Sequence, residues 1–86
     1  DDVSLVELFG WSKEQFDTTL AGSPIRRIGH EQWLRNLAVG LGNAPSSAAV
    51  TDALQARRGD ASALVREHVQ WALQQHDRQG DSPDNL

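Results

Sequence analysis

Chemistry in this chain of 86 residues must come from histidines, carboxylates, hydroxyls and amines, because it contains no cysteine. These residues can therefore supply no disulfide, thiolate zinc site, iron-sulfur ligand or cysteine nucleophile. The three histidines, His30, His68 and His76, fall on different elements or faces, and no two have metal-ligand spacing. His30-Glu31 does not open an HExxH site, since position 34 is Leu34. His68 lies on an apolar stripe and reads as a core histidine with its hydrogen bonds satisfied. Gly40-Leu41-Gly42 ends a helical pattern instead of leading into one, so it reads as a terminator and not as a phosphate loop. The serines and aspartates fall at cap positions. Trp11, Trp33 and Trp71 have helical spacing and read as core. Catalysis by these residues alone is not expected.

The arginines are a different matter. The formal net charge is -4, which on its face speaks against a nucleic-acid partner. The charge is uneven, however. Residues 1–23 hold one Lys against five acids, whereas residues 24–66 hold Arg26, Arg27, Arg35, Arg57, Arg58 and Arg66 against only Glu31, Asp52 and Asp60. The remainder is acidic again, with Arg78 against Glu67, Asp77, Asp81 and Asp84. Arginine's planar fork grips phosphate or carboxylate with two parallel hydrogen bonds.

Positioning these groups is the task of a set of helices with clear punctuation. Leu5, Leu8 and Phe9 form a short apolar stripe ended by Gly10. Ser12 suits an N-cap, Gln15 completes a capping box, and Trp11 with Phe16 occupies the hydrophobic-staple positions. That helix is expected to stop near Leu20, with Gly22 as its left-handed terminator. Ser23-Pro24 marks the next start, and Gly29 divides it into a short turn and a main helix from about His30. Leu34, Leu37, Ala38 and Leu41 give the i, i+3, i+4, i+7 face of that helix, and Gly42-Asn43 followed by Pro45 closes it. Ser46 or Ser47 caps a further helix with Val50, Ala53 and Leu54 inward, ending at Arg57-Arg58 before Gly59. Asp60 is expected to cap the last helix, whose stripe is Ala61, Leu64, Val65, His68 and Ala72, widened by Val69 and Leu73.

No stretch of alternating apolar and β-branched residues argues for a strand. The expectation is an all-α fold, a small bundle of four to five helices in antiparallel hairpins. Residues 1–76 would form a single domain and residues 77–86 a flexible tail. Residues 34–42 resemble residues 65–73 at a shift of 31, an aliphatic-Arg start that looks like the second helix of a HEAT-type repeat. A chain of this length hides only about 60–65% of its surface on folding, so the fold must be simple. No apolar run reaches the ~20 residues of a membrane span, and these residues show no basic-then-apolar signal-peptide pattern, so neither is expected of this segment. A cytoplasmic monomer is expected. The chain has no methionine and opens Asp1-Asp2, from which we expect a piece of a longer protein.

Short connections make the last three helices alternate in direction, which brings Arg26, Arg27 and His30 to one end of the bundle with Arg57 and Arg58. Arg35 and Arg66 fall within about two turns of that end. Helix N-termini there add free N–H groups, so the end reads as a phosphate-binding surface. A second reading stands beside it: Arg57 and Arg58 also complement a helix dipole, and Arg35 and Arg66 equally suit pairing with Asp52, Asp60 or Glu31.

The run Gly22-Ser23-Pro24-Ile25-Arg26-Arg27-Ile28-Gly29-His30-Glu31-Gln32-Trp33-Leu34-Arg35-Asn36-Leu37-Ala38-Val39-Gly40-Leu41-Gly42-Asn43-Ala44 closely resembles the C-terminal region of bacterial epoxyqueuosine reductases. Residues 5–11 and 64–73 fit the same pattern, so the resemblance covers roughly residues 5–75. It implies a parent oxidoreductase that reduces epoxyqueuosine to queuosine at the tRNA wobble position. It also implies cobalamin and two 4Fe-4S clusters in N-terminal catalytic domains of the same chain, with no cofactor in these residues. The C-terminal part of such enzymes is a HEAT-like domain that helps hold the tRNA anticodon stem-loop. Arg26, Arg27, His30, Arg35, Arg57, Arg58 and Arg66 are the expected RNA contacts, and no catalytic residue is carried over. The alternative is a HEAT-like docking module whose arginines meet carboxylates of the parent. Gly40, where a relative could carry Ala, should cost its helix up to ~1 kcal/mol.

Overall fold

The computed structural model describes residues 2–80, which contain five α-helices, one 3-10 helix and no strand. The helices are α1 (Asp2–Phe9), α2 (Lys13–Thr19), α3 (His30–Gly42), α4 (Ala48–Ala56) and α5 (Ala63–Gly80), with the 3-10 helix at Pro24–Ile28. The all-α expectation holds.

Local chemistry sets most of the boundaries. Ser12 Oγ accepts from Gln15 N at 3.1 Å and Gln15 Oε1 accepts from Ser12 N at 2.8 Å, the reciprocal box that starts α2. Trp11 and Phe16, the staple residues, both pack on Trp33, with ring centroids 5.4 and 4.9 Å away. Gly22 and Gly29 adopt φ of 82° and 85°, which side-chain-bearing residues rarely reach, and so allow the chain to turn at each end of the 3-10 helix. Ser23 and Ser47 cap the elements that follow them.

The start of α5 differs from expectation. Its cap is Ser62, whose Oγ accepts from Val65 N, whereas Asp60, two residues earlier, accepts from Ser62 N through Oδ2. Asp60 is drawn there because its other oxygen pairs with Arg57 at 3.0 Å. Ala61 therefore precedes the helix. The buried stripe of α5 is Val65, Val69, Ala72 and His76, with Leu64 and His68 half-buried on its flank. The helix also continues past His76, where a tail was expected, to Gly80. Gln79 holds this extra turn: its Oε1 accepts from Ser46 N at 3.1 Å and its amide donates to the Ala44 carbonyl. The rest of the expected tail lies outside the described residues.

The core consists of α3 and α5 lying side by side, with α1, α2 and α4 packed around them. Contacts between the two run in order along both: Glu31 with Ser62, Arg35 with His68, the Leu41 carbonyl with His76, and the Ala44 carbonyl with Gln79. The two helices are therefore parallel. The sequence repeat has a structural meaning, since Leu34, Ala38 and Leu41 are buried and so are their counterparts Val65, Val69 and Ala72. The C-terminal end of α4 lies by the α1–α2 junction, where α3 begins, so α4 runs antiparallel between them.

The helix ends at Gly42 with Asn43 as its cap, as expected, the Asn43 N–H donating to the carbonyls of Val39 and Gly40. Gly42 has a second role that its place in the chain did not show: it is buried at the end of α3, where a Cβ would stand 2.4 Å from the Trp71 ring and 3.0 Å from Ala72 Cα. At Gly40 a Cβ would meet only Leu5, at 3.4 Å, an ordinary contact. Two glycines one turn-half apart should thus respond oppositely to alanine. Gly40→Ala is expected to stabilise by about 0.5–1 kcal/mol through helix propensity, and Gly42→Ala to destabilise by about 1–3 kcal/mol through overpacking. Urea denaturation of the two variants checks the signs.

Candidate nucleic-acid interface

The predicted basic end of the bundle exists as a convergence of backbone, but its arginines divide into held and free. Arg57 is held most firmly. Its Nε donates to the Phe9 carbonyl at 2.6 Å, Nη2 to the Trp11 carbonyl at 2.7 Å, and Nη1 to Asp60 Oδ1 at 3.0 Å. The guanidinium lies 5.5 Å from the centroid of the Phe9 ring, and only 18% of the side chain is exposed. With three of its five N–H donors taken by the protein and the group largely buried, little of the fork is left for a phosphate. His30 is held by the same junction: its Nε2 donates to the Trp11 carbonyl at 2.9 Å and its ring packs on Phe16.

Arg35 and Arg66 serve the helices that carry them. Arg35 Nε donates to His68 Nε2 at 3.1 Å across the α3–α5 seam, while His68 Nδ1 donates to the Leu64 carbonyl. His68 is thus satisfied, as expected, although the fully buried histidine is His76. The Leu41 carbonyl can only accept, so His76 Nε2 is the donor there at 2.7 Å, and Nδ1 faces Ser46 Oγ at 2.6 Å. Arg66 Nη1 donates to the carbonyls of Asp60 and Ala61, closing the turn before α5, with the side chain otherwise exposed.

Arg26, Arg27 and Arg58 face solvent. Among the described residues the Arg58 side chain hydrogen-bonds to Gln55, at 3.3 Å, and it lines a polar groove of about 500 Å³ between α4 and α5 with Arg66, Gln70, Gln74 and Asp77. Arg26 and Arg27 line an open cleft of about 450 Å³ between α2 and the 3-10 helix. Arg27 makes no hydrogen bond or ion pair among the described residues. The structure adds Lys13 to this cleft, a residue that sequence reasoning passed over. The Lys13/Asp17 spacing of four signalled an ion pair on one helix face, but the approach of Arg26 is tertiary. The two arginine-bearing clefts do not merge into one surface. Between them a third hollow, lined by Glu31 and Asp60 with Ile28 and His30, brings carboxylates to the same end.

Asp17 is the one carboxylate in the Lys13 cleft. The hydrogen bond from Lys13, and then the charges of Lys13 and Arg26, hold it below the ordinary value of 3.8 against the opposing effect of desolvation. Among the described residues no three His, Cys, Asp or Glu side chains converge as metal ligands. Without cysteine, these residues do not fit an iron-sulfur cluster. No described helix is long and apolar enough to cross a membrane.

Fold and site together define a small all-helical module bearing two arginine-lined clefts and no evident catalytic constellation among its described residues. Comparison with known proteins then gives the family. The chain is 63% identical over 76 residues to an epoxyqueuosine reductase of Pseudomonas aeruginosa, covering 88% of this chain and 21% of that protein. It is 52% identical to the enzyme of the same name from Shewanella oneidensis, covering 94% of this chain, and 52% identical to that of Escherichia coli, covering 83%. It thus carries the sequence of one segment of the epoxyqueuosine reductases, as its central motif indicates, and spans about a fifth of the curated relatives it matches. No family model matches the chain, and no solved structure does.

Two expectations follow from the division of the cations. Arg57→Ala should cost about 2–3 kcal/mol, since charge-assisted bonds to two backbone carbonyls are lost. Its neighbour variant Arg58→Ala should stay within about 0.5 kcal/mol of wild type in the same thermal melts. For Asp17, a carboxyl carbon titration should place its midpoint below 3.8, and Lys13→Ala should raise it. Because the folded value is the lower one, this pair's contribution is complete above the unfolded value and fades as pH falls through the folded one.

Proposed function

We propose that this chain is a tRNA-holding segment of an epoxyqueuosine reductase, an accessory module that positions the anticodon stem-loop for chemistry performed elsewhere in the enzyme. The observation that carries the proposal is Arg27, exposed and without an internal partner, beside Arg26 and matched by Arg58 on the second groove. In a chain of net charge -4, cations left unpaired in clefts are where an external anion is best accommodated. Contacts of this kind go to phosphate and set register; they do not read bases. The alternation of α3, α4 and α5 suits a HEAT-like stack, whose extended surface accepts an elongated ligand. Reduction of epoxyqueuosine to queuosine, with cobalamin and two 4Fe-4S clusters, would belong to the other four-fifths of such an enzyme, since these residues offer no thiolate for a cluster.

A docking role has one observation of its own. Ile25 and Ile28, the large apolar residues most exposed among those described, are 49% and 45% accessible and flank Arg26 and Arg27. That pattern would also suit carboxylates and an apolar surface of the catalytic domains.

A titration of the isotopically labelled chain with an anticodon stem-loop RNA separates the two. RNA binding should shift amides of residues 24–28 and 55–58, at an affinity of roughly micromolar or weaker, and should fade steeply with salt. Arg27→Ala should weaken binding and reduce the slope of log K against log salt by about 1. Arg57→Ala, if folded, should leave that slope unchanged. Absence of shifts, or binding indifferent to salt, would favour docking to the parent enzyme.

A further inference from the structure

The cleft between α2 and the 3-10 helix contains an arrangement that a general basic surface does not require. Three cations, Lys13, Arg26 and Arg27, line it against the single carboxylate of Asp17. That carboxylate points its two oxygens at different cations: Oδ2 lies 2.7 Å from Lys13 Nζ and Oδ1 lies 3.5 Å from Arg26 Nε. A phosphate presents two oxygens to the same donors, and each can accept from more than one, so that Arg27 can join Lys13 and Arg26 around it. The cleft is open to such a ligand. The Lys13 and Arg26 side chains are 75% and 51% exposed, and beside them the space where a Gly22 Cβ would stand has nothing within 4 Å. Ion pairs this exposed contribute little to stability, so exchanging one anion for another costs the fold almost nothing.

We infer that this cleft is a phosphate-binding site formed by Lys13, Arg26 and Arg27, in which Asp17 is the resident anion that an incoming phosphate displaces. Asp17 keeps the two flexible cations gathered in the absence of ligand, and its charge weakens binding until it moves aside. The inference rests on the RNA reading for its natural source, a backbone phosphodiester, but its chemistry is that of phosphate in general.

The test uses two probes, inorganic phosphate and the anticodon stem-loop RNA. Each is titrated into wild type, Asp17→Asn, Glu14→Gln and Arg27→Ala while amides of residues 13–17 and 22–28 are followed. Glu14→Gln removes the same charge from the same helix outside the cleft. For phosphate, Asp17→Asn should bind about fivefold tighter than wild type, the effect of deleting one unit charge at contact distance in water. Glu14→Gln should change binding less than about twofold, because salt screens the longer distance. Arg27→Ala should weaken it. If Asp17→Asn binds no tighter than Glu14→Gln, or if phosphate shifts other residues instead, the site is overturned. Phosphate binding here without any response to the stem-loop would keep the site and remove the RNA reading. Stem-loop binding that leaves these amides unmoved would remove the site and keep the RNA reading through the α4–α5 groove.

Discussion

The close approach of α3 to α5 is the constraint from which the rest of the structure follows. At Gly42 the two helices meet with room for hydrogen and not for a methyl group, so the Trp71 ring and the Ala72 backbone rest directly on α3. Small residues at the seam let two helices pack near the minimum interaxial distance, and dispersion contacts multiply along the length they share. The parallel alignment that results buries Leu34, Ala38 and Leu41 against Val65, Val69 and Ala72. Polar rungs then lock the register: His76 reaches the Leu41 carbonyl, which also accepts from Ala44 N near the end of α3, and Gln79 reaches the carbonyl of Ala44. Among the described residues no buried side-chain nitrogen or oxygen lacks a partner. A core this small tolerates such polar groups only when each is matched.

At the opposite end of the seam a single guanidinium does the equivalent work. Arg57 closes α4, satisfies the carbonyls of Phe9 and Trp11, and pairs with Asp60, which in turn organises the turn into α5. Four segments meet at one planar fork. Lysine's three donors share one rotatable nitrogen and lack the fixed planar spread of the guanidinium. The consequence for function is subtraction: an arginine that ties the fold together is removed from the pool available to a ligand. The seven candidate residues of the basic region therefore sort by geometry, with His30, Arg35 and Arg57 engaged by the protein, Arg66 partly so, and Arg26, Arg27 and Arg58 left to solvent.

Reading along the chain recovers what depends on neighbours within a turn. The capping box at Ser12 and Gln15, the left-handed Gly22, the break at Gly29, the serine cap before α4 and the apolar face of α3 are local relations, and each is found as expected. The repeat between residues 34–42 and 65–73 was also legible, because parallel neighbours bury equivalent positions. The failures are equally consistent. Asp60 and Ser62 are both good caps, and the choice between them depends on Arg57. Gly40 and Gly42 look alike in a helix-ending triplet, yet a methyl group fits at Gly40 beside Leu5 of α1 and does not fit at Gly42 beside α5.

What the sequence determined by itself is the set of helices, the caps of all but the last of them and the family to which this segment's motif points, because these rest on local stereochemistry and on residue identity. What only the tertiary structure decided is the fate of each charge. Arg57 and Arg58 are adjacent and chemically identical, but successive residues at a helix end project about 100° apart. One meets two carbonyls and a carboxylate across the bundle, and the other meets water and a glutamine. Lys13, unremarked as a lone lysine in an acidic stretch, joins Arg26 only because the turn at Gly22 folds the 3-10 helix back alongside α2. Long-range electrostatic partners are set by packing, and packing is not written in the spacing of the residues it brings together.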